Sequence, residues 1–330
     1  MTTRTAPAPI AVLATHELVA PREDHMSLEE MIFACSSTVL KKAGLDHSTL
    51  EGVVMSGQDQ IDGRVISCMP SAGPAGGVGR DVTMIASSGD HALVYGWMRL
   101  LSGQGSNVLV IGWSKPSESV SLAHSQSVSA EPFVLRAVGM NDTIAASLQA
   151  SRWYTPDAPV EDPVSWPLGA EDLPADADAV YAAVLATADQ VGPEGPIAWI
   201  RGAGWSTDQY DMGSRDLTEN TPLRQALAQI EQISGVPRAR TWDVVEIAAA
   251  SEPAVRRAAE ALDLPATARV NPSGSLRERP APAHVSGLGR MLAALDAVGK
   301  GEASHAAAVG LHGFAGQGAT VMVFSGEQER

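Results

Sequence analysis

The chain has 330 residues, 45% of them hydrophobic and 18% charged, with a formal net charge of −15. That length supplies two core-forming units or one large α/β assembly, and the acidic balance excludes a polyanion-binding surface, which needs clustered Lys and Arg to displace counterions. No apolar run approaches the roughly 18 residues needed to span a bilayer, so a cytoplasmic protein with no nucleic-acid or membrane partner is expected.

Residues 1–8 read as a frayed arm, followed by a short strand at Ile10-Ala11-Val12-Leu13. Ser27 and Glu30 form a capping box at the start of a helix that runs to Gly44. Residues 50–55 (LEGVVM) read as a strand, and 68–79, rich in Pro and Gly, as a loop. The two cysteines, Cys35 and Cys68, fit neither a CxxC nor a Cys/His ligand spacing. They are expected as free thiols, with no metal site.

Residues 81–116 are the unit around which the rest is arranged. A β-branched run at 82–85 meets the turn Ala86-Ser87-Ser88-Gly89, then a helix apolar on nearly every side, then an apolar strand at 108–113. A helix apolar all round is buried, and a strand without alternation is covered on both faces, so this unit lies inside a layered α/β domain. The helix start offers unpaired N–H groups and a dipole that favour a nucleophile or an anion. Asp90 there reads as a helix-dipole carboxylate.

From 117 to about 164 the chain is polar, Ser-rich and broken by Pro, apart from a helix capped by Asn141 and continuing past Leu148 to Trp153. An insertion of this length covers a site or a partner surface. Strands are expected within 176–185 and at 197–200. The first pattern then recurs: a helix at about 222–233 closed by Gly235, a strand at 242–247, a helix through Val255 and Leu262, the turn Asn271-Pro272-Ser273-Gly274, a helix at 287–298, and strands at 306–311 and 320–324. Two similar halves imply an internal pseudo-twofold with the site at their junction. The Gly73-Pro74-Ala75-Gly76-Gly77 turn contains no GxGxxG between strand and helix, which argues against a dinucleotide site.

Four segments, in order, resemble the thiolase superfamily and within it the sterol-carrier-protein-type thiolases: ASSG at 86–89 with its helix and strand, DVVEIAAAS at 243–251, NPSG at 271–274 with Pro282 and Ser286-Gly287, and LHGFAGQGATVMVF at 311–324. The resemblance implies an α/β thiolase fold. Its two pseudo-symmetric βαβαβαββ halves would form five layers, α-β-α-β-α, divided as an N-terminal half (1–116), a shortened loop region with a return strand (117–192) and a C-terminal half (193–330). It also implies acyl-CoA metabolism, with a CoA thioester as ligand and no other cofactor.

The family's reactive side chains are absent. Its nucleophilic Cys falls on Ala86, its His-Asp-Cys-Phe box on Ala248-Ala249-Ala250-Ser251, and the His of its Gly-His-Pro motif on Ala281. Thiolysis and Claisen condensation need a thiolate, a base and oxyanion donors; alanine at these positions implies an apolar pocket with almost no titratable chemistry. The expected protein is therefore a catalytically degenerate, thiolase-like subunit that binds acyl-CoA. It would work as a homodimer through residues 82–85, or with a second thiolase-like chain or an OB-fold zinc-ribbon protein.

The alternative is a non-covalent acyltransferase or retro-aldol lyase with His312 or His284 as base. His312 matches a polar family position, and His284 replaces a loop glycine. His91 and Glu246 are weaker candidates for catalysis. Ser87, Ser88, Gly89, Gly316 and Gly318 are the expected substrate-binding residues; the two C-terminal glycines need positive φ or close backbone approach.

Overall fold

The computed structural model describes residues 9–62, 66–157, 159, 161–234 and 242–328. The N-terminal arm and Gly235 lie outside the described residues. The first half runs β1 (Ile10–Ala20), α1 (Leu28–Lys42), β2 (Gly52–Ser56), α2 (Cys68–Ala72), β3 (Asp81–Ile85), α3 (Gly89–Leu101) and β4 (Asn107–Ser114). After α4 (Leu122–Ser129) and α5 (Asp142–Ala150) it closes with β5 (Asp178–Thr187). The second runs β6 (Ala198–Thr207), α6 (Thr221–Ser234), β7 (Val244–Ala248), α7 (Glu252–Ala261), β8 (Arg269–Val270), α8 (Ala283–Gly299), β9 (His305–His312) and β10 (Gly318–Ser325).

The strands hydrogen-bond in the order β3-β2-β4-β5-β1-β6-β10-β9-β7-β8. Read outward from the β1–β6 seam, β1-β5-β4-β2-β3 and β6-β10-β9-β7-β8 are the same sequence of elements, which is the expected pseudo-twofold. Directions match as well: β2 is parallel to β3 and β4, β7 is parallel to β8 and β9, and the remaining neighbours are antiparallel. The seam is short, three residue pairs from Ile10↔Ile200 to Val12↔Ala198.

Side-chain packing resolves the layers. Met31, Ile32 and Val39 of α1 pack on the outer face of the first half with Val53, Leu109 and Val180. Leu223 of α6 and Val255 of α7 pack on the outer face of the second with Val245, Val309 and Val321. Between the two halves of the sheet lie α3 and α8, whose Leu93, Trp97, Leu288 and Met291 share one core with Val110, Tyr181, Ala308 and Met322. The all-round apolarity of α3 follows from this central position. At Gly96 a Cβ would sit 2.6 Å from Val110, so only glycine lets the helix approach β4 this closely.

Several local expectations change. The first strand extends to Ala20 because it pairs with β5 along its whole length, with a register shift between Val12 and Ala14. The Pro/Gly-rich segment 68–79 opens with the short helix α2 instead of being loop throughout. The Ser27–Glu30 capping box is present as expected. In the insertion, α4 is a helix the sequence pattern does not announce, because none of its residues is buried and it carries no apolar stripe. The helix capped by Asn141 ends at Ala150, short of Trp153.

Candidate functional site

A cavity of about 800 Å³ opens where the two halves meet. From the first half it takes Ser87, Ser88 and His91, and from the second His284, Arg290 and His312. Residues of α4 and α5, among them Leu122, Gln126 and Asp142, form part of its wall, so the insertion covers the site.

The start of α3 is held from both sides. The Ser56 hydroxyl at the end of β2 donates to the Ser87 carbonyl (2.9 Å) and lies 3.1 Å from His284 Nε2. With its only proton committed to a carbonyl, Ser56 Oγ must accept from His284 Nε2–H, which leaves Nδ1 as the unprotonated nitrogen. The Ser88 hydroxyl donates to the His284 carbonyl (3.3 Å). Burial pulls the His284 imidazole down to about 4; Asp90 favours its protonation but is outweighed, and His312 and His91 oppose it. His284 is neutral at neutral pH.

Asp90 is fully buried, and its Oδ2 has no hydrogen-bond partner. It fits only because Gly287 and Gly310 lack side chains: a Cβ at either position would collide with its carboxylate. Its Oδ1 accepts from the His91 backbone N–H (3.0 Å). The His91 ring meets the Ser87 hydroxyl at 2.7 Å through Nδ1 and stands edge-on to the His312 ring. His312 Nε2 is 3.3 Å from Thr320 Oγ1, and the ring packs on Gly318, where a Cβ would strike it. Burial lowers the His312 pKa, with Asp90 pulling the other way and His91 adding to the decrease. Asp90, His91 and His312 each offer one donor atom within 4.8 Å of the other two, an arrangement able to hold a divalent cation.

The expected positions therefore separate into groups. Ser87, Ser88, Gly318, His284 and His312 line the cavity, as do Ala250 and Ala281. Gly89 does not, because it is packed against Leu288 and Val285 of α8; Gly316, at φ +64°, lies beside Gln149 instead. Ala248 is buried within β7, paired with Gly310, and Ala86 is exposed beyond the edge strand β3. Neither is a cavity wall. Glu246 is taken up structurally: its Oε2 receives Arg290 Nη1 (2.8 Å) and the Ser273 hydroxyl (2.8 Å).

The expectation of an apolar, chemically empty pocket is overturned. Three imidazoles, His91, His284 and His312, converge on it. Arg290, Tyr181 and Asp142 escape sequence reasoning altogether. Tyr181 Oη and Arg290 Nη2 are buried in the cavity wall without a partner, and burial pushes the Asp142 carboxyl up to about 6. A faint signal exists for the first two: each is the one polar side chain in an otherwise apolar run. Neither cysteine lines the cavity. Cys35 is buried with its thiol pushed up by burial, and Cys68 lies outside.

No family model matches the chain, and no curated protein does. Solved structures do. Human mitochondrial 3-ketoacyl-CoA thiolase in complex with CoA superposes at a TM-score of 0.74 and 15% identity, covering 99% of this chain and 100% of its own. The chain has the thiolase fold. A second structure of the same human enzyme agrees, at 0.74 and 15%, covering 97% of this chain and 99% of its own. At this identity the likeness establishes the thiolase architecture, and the chemistry rests on the cavity. Among the described residues, no helix of this thiolase fold is long and apolar enough to cross a membrane.

Proposed function

We propose that the protein is an enzyme without a catalytic cysteine that transfers the acyl group of a CoA thioester, with His312 and His284 as its acid–base groups. The observation that carries this reading is the convergence of His91, His284 and His312 on one cavity beside a buried carboxylate, on a thiolase fold whose family nucleophile position is Ala86. An imidazole whose pKa lies near the working pH contributes roughly 10²–10⁴ in rate as a general acid–base group; His284, held down to about 4, is unprotonated at neutral pH and acts there only as an acceptor. The unpartnered Tyr181 hydroxyl and Arg290 Nη2 supply donors for a polar group on the acyl chain. Ala86 leaves no route through a thiolate.

The test is release of free CoA from a panel of acyl-CoAs, with His312→Ala and His284→Ala alongside. The expected result is turnover lost in at least one variant that keeps its fold. An aldehyde or ketone product from a β-hydroxyacyl-CoA would instead identify a retro-aldol lyase acting through the same histidines.

A second reading, a degenerate subunit that binds acyl-CoA without turnover, is favoured by β3. It is an edge strand with Asp81 and Ala86 exposed beside it, a template for pairing with a second copy, with another thiolase-like chain or with an OB-fold zinc-ribbon protein. Thioester binding without CoA release in the presence and absence of such partners would select it.

A further inference from the structure

We infer that Ser87 carries the acyl group as an ester, with His91 as its base; this rests on the reading of the cavity as an acyl-thioester site. The two side chains are 2.7 Å apart, Ser87 Oγ to His91 Nδ1, and both line the cavity. A nucleophile and a base within hydrogen-bond reach, with the base oriented by a third group, is the geometry that activates a hydroxyl. All three requirements have named residues here.

The pair is fixed by the backbone. Ser87 stands one residue before the N-cap Ser88, and its carbonyl is pinned by Ser56; His91 occupies the first turn of α3, its N–H bonded to the Ser88 carbonyl (3.0 Å) and Asp90 Oδ1. The His91 ring is braced by the edge contact with His312. Asp90 and His91 each place one donor atom within 4.8 Å of the other, so the Asp90 carboxylate lies near the positive charge that His91 acquires on taking a proton. Ser88 cannot serve equally well, because its hydroxyl is committed to the His284 carbonyl. The leading N–H groups of a helix have no partner within it and sit at the positive end of its dipole, which suits a developing oxyanion.

In the acylation step the Ser87 hydroxyl proton passes to His91 Nδ1 and the Oγ–acyl bond forms. The acyl C–S bond breaks, and the departing thiolate takes the proton from His91 as free CoA. Water or an acceptor alcohol then attacks the ester, giving its proton to His91 and returning Ser87 to the hydroxyl.

The experiment treats the full chain with diisopropyl fluorophosphate and maps the adduct by mass spectrometry, with acetyl-CoA binding measured separately by calorimetry. The expected result is one adduct on Ser87, absent in Ser87→Ala and formed at least tenfold more slowly in His91→Gln. Ser87→Cys serves as a second probe, its thiol expected to react with iodoacetamide faster than free cysteine. No adduct on Ser87 in folded protein, an unchanged rate in His91→Gln, or an unactivated thiol in Ser87→Cys would overturn the inference. Labelling that is lost in Ser87→Ala while acetyl-CoA binding persists supports it. Labelling of Ser87 in a protein that binds no thioester would keep the dyad and remove the thioester reading.

Discussion

His91 from the first turn of α3 and His312 from the end of β9 stand edge to face, ring centroids 4.5 Å apart and planes 72° to one another. One comes from each half of the chain, so this contact exists only when the halves are docked. His312→Ala removes the brace on His91 as well as a proton acceptor. CoA release is expected to fall by roughly 10²-fold or more, with the circular dichroism spectrum unchanged.

Gly310→Ala tests the cradle of Asp90. The added methyl would run into Oδ2 of a carboxylate that has no room to turn, since Gly287 closes the other side. Overpacking of this kind costs about 1–3 kcal/mol, read as a lower urea midpoint at unchanged slope. A midpoint equal to that of the parent protein would show that the carboxylate is not wedged between the two glycines.

The fold was legible in the sequence because its signals are long: the buried helix at 89–101, the unalternating strand before Lys115 and the recurrence of the pattern after Thr221 all have the extent that periodicity needs. The site was legible in part. Ser87, Ser88, Gly318, His284 and His312 were reached through motif positions and lie on the cavity. The Ser87–His91 bond joins residues four apart, yet the sequence gives no sign of it, because the turn geometry that brings them together depends on Ser56, more than thirty residues earlier. Asp142 and Arg290 were missed for a related reason: their importance comes from what packs around them.

The Glu246–Arg290 pair is buried on both sides, with side chains 1% and 4% exposed. Removing one partner of such a pair leaves an uncompensated charge and costs about 3–5 kcal/mol. Glu246→Leu should show this loss in chemical denaturation, and Glu246→Leu with Arg290→Met should recover much of it. Equal losses in the single and double variants would contradict the coupling.

The pH dependence of stability has a sign that can be worked out. His284 holds its proton only below about 4 when folded, against 6.5 ordinarily, so the unfolded chain takes up the proton first as pH falls. Its contribution is complete above 6.5 and is lost as pH drops toward 4, on the order of 3 kcal/mol in all. Asp142 acts oppositely: its carboxyl keeps a proton up to about 6, against 3.8 ordinarily, so its contribution is lost as pH rises through that window. The two are separated by substitution. His284→Asn should lose less stability than the parent between pH 7.5 and 4.5, and Asp142→Asn should lose more, both measured by urea midpoint.

Tyr181→Phe addresses the unpartnered hydroxyl in the cavity wall. With no bond to break inside the protein, the substitution should leave thermal stability unchanged or slightly raised, since an unpaired buried polar group is itself a cost. Its effect should appear as a higher KM for an acyl-CoA with a polar acyl chain and no change for a plain one. A substantial loss of stability would mean that the hydroxyl has a structural partner.

The glycines at 287, 310 and 318 that let Asp90 and His312 approach so closely also constrain how this protein can diversify. None of the three can take a side chain without displacing Asp90 or His312, so the cluster they hold is closed to substitution. Variation in what the protein accepts must come from the roof of the cavity, the solvent-facing helices of the insertion, where residues change at little cost to the rest of the molecule.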